Sequence, residues 1–219
     1  MMETRRKFIR KLVGCFTFMG LLFNPLFVGI RSVLAEAEKI ILPKGTKRES
    51  LVTKNPADLD TRNLEITPLQ DFGTMGLEDY KVDIKQWRLH LNGHVKTPLD
   101  LSYEQTLALP WIEKEVLLIC PGVFANFGRW KGISIKNLIE MAGLRKGATH
   151  VTIRGPKSTY EKVERFPIAD IFSEKVFLAY QVNGKVLPQK HGFPLRVVAE
   201  GHYGYEWVKY VDQITVEKI

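Results

Sequence analysis

The chain has 219 residues, 45% hydrophobic and 26% charged, a balance that builds a packed core and excludes intrinsic disorder. Its 32 basic and 24 acidic residues give a net charge of +8, but the cations are scattered rather than gathered with aromatics into a stripe, which argues against a nucleic-acid partner. Two cysteines, Cys15 and Cys120, are too few for a disulfide framework.

Residues 1–37 have the three-part layout of an export signal. Arg5-Arg6-Lys7-Phe8 opens a basic cluster, and an apolar stretch follows from Leu12 to Leu34. Ala35-Glu36-Ala37 then has the small-x-small form that signal peptidases cut. The paired arginines ahead of Phe8 resemble the twin-arginine class, which implies delivery of a folded protein to the periplasm or another extracytoplasmic space. An uncleaved membrane anchor is the alternative: the stretch approaches the ~20 residues of a bilayer span, although Pro25 and Arg31 interrupt it. A lipid anchor on Cys15 is disfavoured, because the apolar core lies after that cysteine. The segment carries six of the basic and two of the acidic residues, so the remainder is close to +4.

Residues 38–60 are polar and lysine-rich, with Pro43-Lys44-Gly45 and Asn55-Pro56, and read as an extended, loosely ordered lead-in. The domain proper runs from 61 to 219. Trp87, Leu89 and Leu91 alternate with polar residues and meet Asn92-Gly93, a half-buried strand entering a tight hairpin. Ser102 with Gln105 three residues on is a capping box, opening a short helix that ends before Pro110. Glu115–Cys120 reads as a buried strand. A second helix begins at Ser134, with Ile135, Leu138, Ile139 and Ala142 on one face and Gly143 as its stop.

Strands follow at His150–Arg154 and Val176–Val182, the latter turning at Asn183-Gly184 into Lys185–Leu187. Further strands are expected at Pro194–Ala199, Glu206–Val211 and Gln213–Ile219. Many strands with a few short helices give one α+β domain, largely β.

Cys120 is the sole cysteine beyond the signal. It ends the apolar run Val116-Leu117-Leu118-Ile119 and precedes the turn-prone Pro121-Gly122, so the thiol is held at the mouth of a buried strand. Thiolate is a natural ligand for a soft or borderline transition metal; a small buried hydrophobe is the alternative reading.

Downstream come Arg129-Trp130-Lys131-Gly132, the stretch Phe177–Pro188, His191-Gly192-Phe193-Pro194-Leu195-Arg196, and Gly204-Tyr205-Glu206-Trp207-Val208-Lys209. This order resembles the molybdopterin-binding domain of the sulfite oxidase family, from about Leu64 to Ile219. The resemblance implies a sulfite oxidase-type fold and a molybdenum–molybdopterin cofactor whose metal takes its protein sulfur from Cys120. It also implies a phosphate held by Arg196 through a forked grip, by the point charge of Lys209, by a His191 ring nitrogen and by backbone amides around Trp207 and Val208. Gln70 and Asp71 fall where related methionine-sulfoxide reductases contact the pterin. Gly155 sits at another pterin-contacting position, and Tyr160 lies where sulfite oxidases carry an active-site tyrosine.

The chain departs from sulfite oxidases after the cysteine. Pro121-Gly122-Val123-Phe124-Ala125-Asn126 stands where they carry arginines that hold sulfite, and Asp71 offers a carboxylate where they offer a cation. A carboxylate beside the substrate repels an anion by ~4 kcal/mol at ~4 Å and moderate dielectric. The expected chemistry is two-electron oxygen-atom transfer, reducing a neutral sulfoxide or N-oxide. Oxidation of a small sulfur compound and a non-catalytic pterin-binding or electron-transfer subunit are the alternatives. With no haem or iron–sulfur cysteine set, electrons need a separate partner, a membrane haem protein or a soluble cytochrome.

Overall fold

Alternation along the chain translates into twelve strands. They are β1 (Ile40–Ile41), β2 (Leu59–Asp60), β3 (Arg88–Gly93), β4 (Leu99–Ser102), β5 (Trp111–Cys120) and β6 (Phe124–Ile133), followed by β7 (His150–Arg154), β8 (Val163–Pro167), β9 (Val176–Val182), β10 (Lys185–Val186), β11 (Arg196–Ala199) and β12 (Gln213–Glu217). Three short helices intervene: α1 (Tyr103–Leu107), α2 (Ile135–Ala142) and α3 (Ile168–Phe172). This computed structural model describes residues 38–157 and 162–219; the export signal over 1–37 and Tyr160 lie outside the described residues. The expected α+β, largely β class holds.

One sheet runs β10-β9-β6-β5, with β11 paired to β9 beyond β10. The other runs β4-β3-β12-β7-β8, in which β12 is parallel to β3 and antiparallel to β7. Local signals act as read. Gln105 N–H donates to Ser102 Oγ while Ser102 N–H donates to Gln105 Oε1, which closes the capping box of α1. Helix α2 buries Ile135, Leu138, Ile139 and Ala142 and stops at left-handed Gly143.

Strand β5 is apolar throughout its second half because both faces are covered. Val116 and Leu118 face the main core, whereas Leu117 and Ile119 pack with Leu42, Leu51, Leu59, Ala125 and Phe127. With a side-chain period of two, Cys120 shares the face of Val116 and Leu118. Residues 38–60 are therefore docked rather than loose: three leucines from this stretch cover the outer face of the strand that carries the cysteine.

Two further expectations are corrected. Asn92-Gly93 is not a two-residue turn: β3 and β4 pair from Leu91 opposite Leu99, and residues 94–98 intervene. Val95 is drawn into the core there and bridges Leu144. Glu206–Val211 is not a strand. A 3-10 turn at Gly204–Glu206 precedes irregular backbone with Tyr210 at φ 58. Single bonds from Val197 N–H to Val208 O (2.8 Å) and from Val211 N–H to Leu195 O (2.8 Å) tie this segment to β11 without forming a ladder.

Strand β6 was not expected, since Asn126, Gly128 and Gly132 break its alternation. Its register with β9 shifts between Lys131 and Gly132. A Cβ on Gly132 would lie 1.8 Å from Leu178 O, so this close approach requires glycine.

Candidate active site

The β5–β6 hairpin turns through Pro121-Gly122-Val123, which sets Cys120 opposite Phe124 at the open end of the sheet. Cys120 is 8% exposed, and burial pushes its thiol above the ordinary range. It lines a cavity of about 370 Å³ together with Met75, Leu77, Leu118, Phe124 and Tyr205. Met75 Sδ lies 3.9 Å from Cys120 Sγ. A thiol raised in this way is a poor nucleophile unless an electropositive partner draws off the proton, which is what a bound metal does.

Among the described residues, the charged side chains on the cavity wall are all cations: Lys162, Arg196 and Lys209. Lys162 is engaged by Glu164. Arg196, at the start of β11, is buried against Trp130 and Trp207, with its guanidinium carbon 5.1 and 5.4 Å from their ring centroids. Its Nη1 donates to His191 O (3.1 Å), and no carboxylate among the described residues forms an ion pair with it. Burial pulls this guanidinium down to about 9.

Lys209 Nζ donates to Lys190 O (3.0 Å) and Thr74 Oγ1 (3.3 Å), and burial with the nearby Arg196 charge lowers it to about 8. His191 falls to about 4 through burial and then the charges of Arg196, Lys190 and Lys209. It is neutral at pH 7, and its buried Nε2 has no hydrogen-bond partner. Gly192, at φ 105, lets the chain turn between these groups; a Cβ there would meet Lys209 Cβ at 3.0 Å and Arg196 Cβ at 3.2 Å.

Cys120, Gly155, Arg196, Trp207 and Lys209 thus share one cavity. His191 sits behind the wall, joined to it through Arg196. Val208 is fully buried, with its carbonyl bonded to Val197. The Trp207 N–H is already donated to Gly204 O (3.2 Å), so Trp207 contributes its ring beneath Arg196 instead of an amide. Gln70 and Asp71 are exposed and outside this cavity. Asp71 faces a neighbouring cavity of about 250 Å³ and lies 3.8 Å from Arg48. The repulsion expected from its carboxylate therefore has no geometry behind it. The wall on that side is built by Gly73–Leu77, two residues further on, where Thr74 and Met75 carried no sequence signal. Of the apolar residues Val123, Phe124 and Phe127 that follow Cys120, Phe124 lines the cavity, Val123 lines the neighbouring one and Phe127 packs with the second cluster.

A thiol and a thioether 3.9 Å apart, on the wall of a cavity that also holds Arg196 and Lys209, suit a metal-bearing polyanion. Residues 76–218 match the family described as the oxidoreductase molybdopterin binding domain. The chain belongs to that family. It is a molybdopterin-binding oxidoreductase, and its described residues fit the cofactor: one thiol, a buried histidine nitrogen without a hydrogen-bond partner, a buried guanidinium without an ion pair, and a half-buried ammonium beside it.

Among its relatives, an NADH nitrate reductase of Volvox carteri is 30% identical over 162 residues, covering 60% of this chain and 19% of that protein. The uncharacterized oxidoreductase YuiH of Bacillus subtilis is 29% identical over 140 residues, covering 64% and 69%. The protein-methionine-sulfoxide reductase catalytic subunit MsrP of Gluconobacter oxydans is 28% identical over 143 residues, covering 58% and 46%. The chain thus spans about a fifth of the nitrate reductase. The sulfane dehydrogenase SoxCD of Paracoccus pantotrophus shares the fold, with a TM-score of 0.60 at 21% identity over 68% of this chain and 45% of that one.

Proposed function

We propose that this molybdopterin oxidoreductase is exported and reduces a neutral sulfoxide or N-oxide. The observation that carries the reading is the apolar lining that Cys120 shares: Met75, Leu118, Phe124 and Tyr205 line its cavity, in which we assign Arg196 and Lys209 to the cofactor. An anionic substrate such as sulfite needs cations beside the metal sulfur, since a desolvated charge without a partner is strongly disfavoured. A sulfoxide carries a dipole and no net charge, and an apolar wall accommodates it. The methionine-sulfoxide reductase named among the relatives favours the same direction.

When bound, the molybdenum cofactor supplies two-electron oxygen-atom exchange. Cys120 provides the protein sulfur, and its seat at the end of a doubly covered strand fixes that sulfur's position. Arg196, packed beside Trp130 and Trp207, would present a fork to the terminal phosphate. Lys209, steadied by Lys190 O and Thr74 Oγ1, would add a charge, and His191, whose buried Nε2 lacks a partner, would offer a ring nitrogen from behind the wall. Two electrons enter from a separate haem or cytochrome partner, and two protons accompany the departing oxygen as water. Among the described residues no helix is long and apolar enough to cross a membrane, and the paired arginines at Arg5-Arg6 support export.

The test uses full-length protein purified from a molybdenum-replete host. Reduced viologen dye should be consumed with methionine sulfoxide, dimethyl sulfoxide or trimethylamine N-oxide, whereas sulfite with ferricyanide should give no turnover. Rapid sulfite oxidation would overturn the reading. Full metal occupancy with no turnover on any donor would assign a non-catalytic subunit instead.

A further inference from the structure

Residues 73–77 cross the cavity mouth without regular secondary structure, yet their start is fixed twice. Asn126, buried in β6, accepts the Gly73 N–H on Oδ1 (3.1 Å) and donates Nδ2 to Gly73 O (3.0 Å). Thr74 Oγ1 then donates to Lys190 O (3.1 Å). Anchoring two consecutive residues aims the next side chain, so Met75 Sδ comes to rest 3.9 Å from Cys120 Sγ. Met75 remains 53% exposed. One side of its thioether meets solvent, and the other meets the sulfur around which the proposed chemistry occurs.

The other methionine of the described residues, Met141 on α2, is 52% exposed and outside the cavity. A solvent-borne oxidant therefore meets the two alike. Hydrogen peroxide transfers an oxygen atom to a thioether, giving methionine sulfoxide and water. Only at Met75 does the resulting S=O group form beside Cys120.

We propose that Met75 is a built-in oxidation site whose sulfoxide is reduced in cis by the active site it overhangs. This inference rests on the sulfoxide-reductase reading and names a substrate within the chain itself. The S=O bond breaks, sulfur regains two electrons, and oxygen leaves with two protons as water. The electrons come from the redox partner that feeds the enzyme, or in the assay from two equivalents of reduced benzyl viologen. Met75 sulfoxide then occupies the position an external substrate needs, so oxidation holds the site closed until an electron supply clears it.

The test oxidises metal-loaded, full-length protein with hydrogen peroxide, adds reduced benzyl viologen anaerobically, and follows both methionines by peptide mass spectrometry. Met75 sulfoxide should revert at least about tenfold faster than Met141 sulfoxide, because a tethered group needs no bimolecular encounter. Its rate should also stay constant as the protein is diluted. Equal rates at the two positions, or a Met75 rate proportional to protein concentration, would overturn the inference. A parallel reaction with free methionine sulfoxide separates the two readings. Free sulfoxide consumed while Met75 sulfoxide persists removes the self-reduction and leaves the proposed function standing; neither reduced removes both. The Cys120→Ala chain, oxidised in the same way, should keep both sulfoxides. If that variant does not fold, the Met75-to-Met141 comparison within one molecule decides alone.

Discussion

Replacing Arg196 with methionine should stabilise the cofactor-free protein and weaken its hold on the cofactor. Arg196 is 6% exposed, with no carboxylate partner among the described residues. Its guanidinium is lowered from 12.5 to about 9, which corresponds to roughly 5 kcal/mol of penalty on the charged form at ~1.36 kcal/mol per pH unit. The faces of Trp130 and Trp207 return about 1 kcal/mol each. The remainder agrees with the ~1–4 kcal/mol gained when buried charges are exchanged for apolar side chains of similar shape. Arg196→Met should therefore raise the stability of the cofactor-free protein by about 2 kcal/mol, or about 5 °C in Tm for a domain of this size.

The same change removes charge-assisted hydrogen bonds to the phosphate, worth about 3 kcal/mol together, or roughly a hundredfold in cofactor affinity. Denaturant titration of cofactor-free protein and pterin content after dialysis measure the two halves. If the cofactor-free variant proves less stable than the parent, the guanidinium is already compensated, and the case for an anion seat in this cavity fails.

Cys120→Ala should fold, at about 1–2 kcal/mol less stability, and lose its molybdenum, as read by metal mass spectrometry. Inorganic phosphate should raise the Tm of the cofactor-free protein, and the effect should depend on pH. His191 and Lys209 are lowered from 6.5 to about 4 and from 10.5 to about 8. Between each pair of values the unfolded chain binds more protons than the folded one, so stability without phosphate climbs from pH 4 to 6.5 and again from 8 to 10.5. Bound phosphate favours the charged forms and should flatten both rises in Tm-versus-pH curves; unchanged slopes would contradict the site. Asn126→Leu leaves the Gly73 N–H and C=O without the partners they have in the fold. It should destabilise by about 1–3 kcal/mol and speed hydrogen exchange at residues 73–77, and unaltered exchange there would refute the anchoring role.

Features written in adjacent residues were legible in the sequence. The capping box of Ser102 and Gln105, the Asn183-Gly184 turn and the Gly143 stop each depend on chemistry within a few residues. Cys120, Arg196 and Lys209 were singled out through the family resemblance of the motif order, and the fold brings all three to one cavity. What escaped notice depends on distant partners. Strand β6 alternates poorly because its glycines answer to the backbone of β9. Residues 206–211 look like a strand but line the cavity, tied to β11 by isolated bonds. The lead-in looks polar, yet Leu42, Leu51 and Leu59 find a hydrophobic face that exists only once β5 and β6 have paired. The Gln70-Asp71 assignment missed by a few residues because Asn126, more than fifty positions away, decides which part of that loop meets the cavity.

The place of β12 has a consequence for how the molecule is made. Residues 213–217 form the middle of the second sheet, bonded to β3 on one side and β7 on the other. A nascent chain leaving the ribosome carries those two strands with their facing edges bare until residues 213–217 have emerged. A stop placed before residue 213 would thus remove a central plank of the sheet, and should yield aggregate instead of a slightly weaker protein.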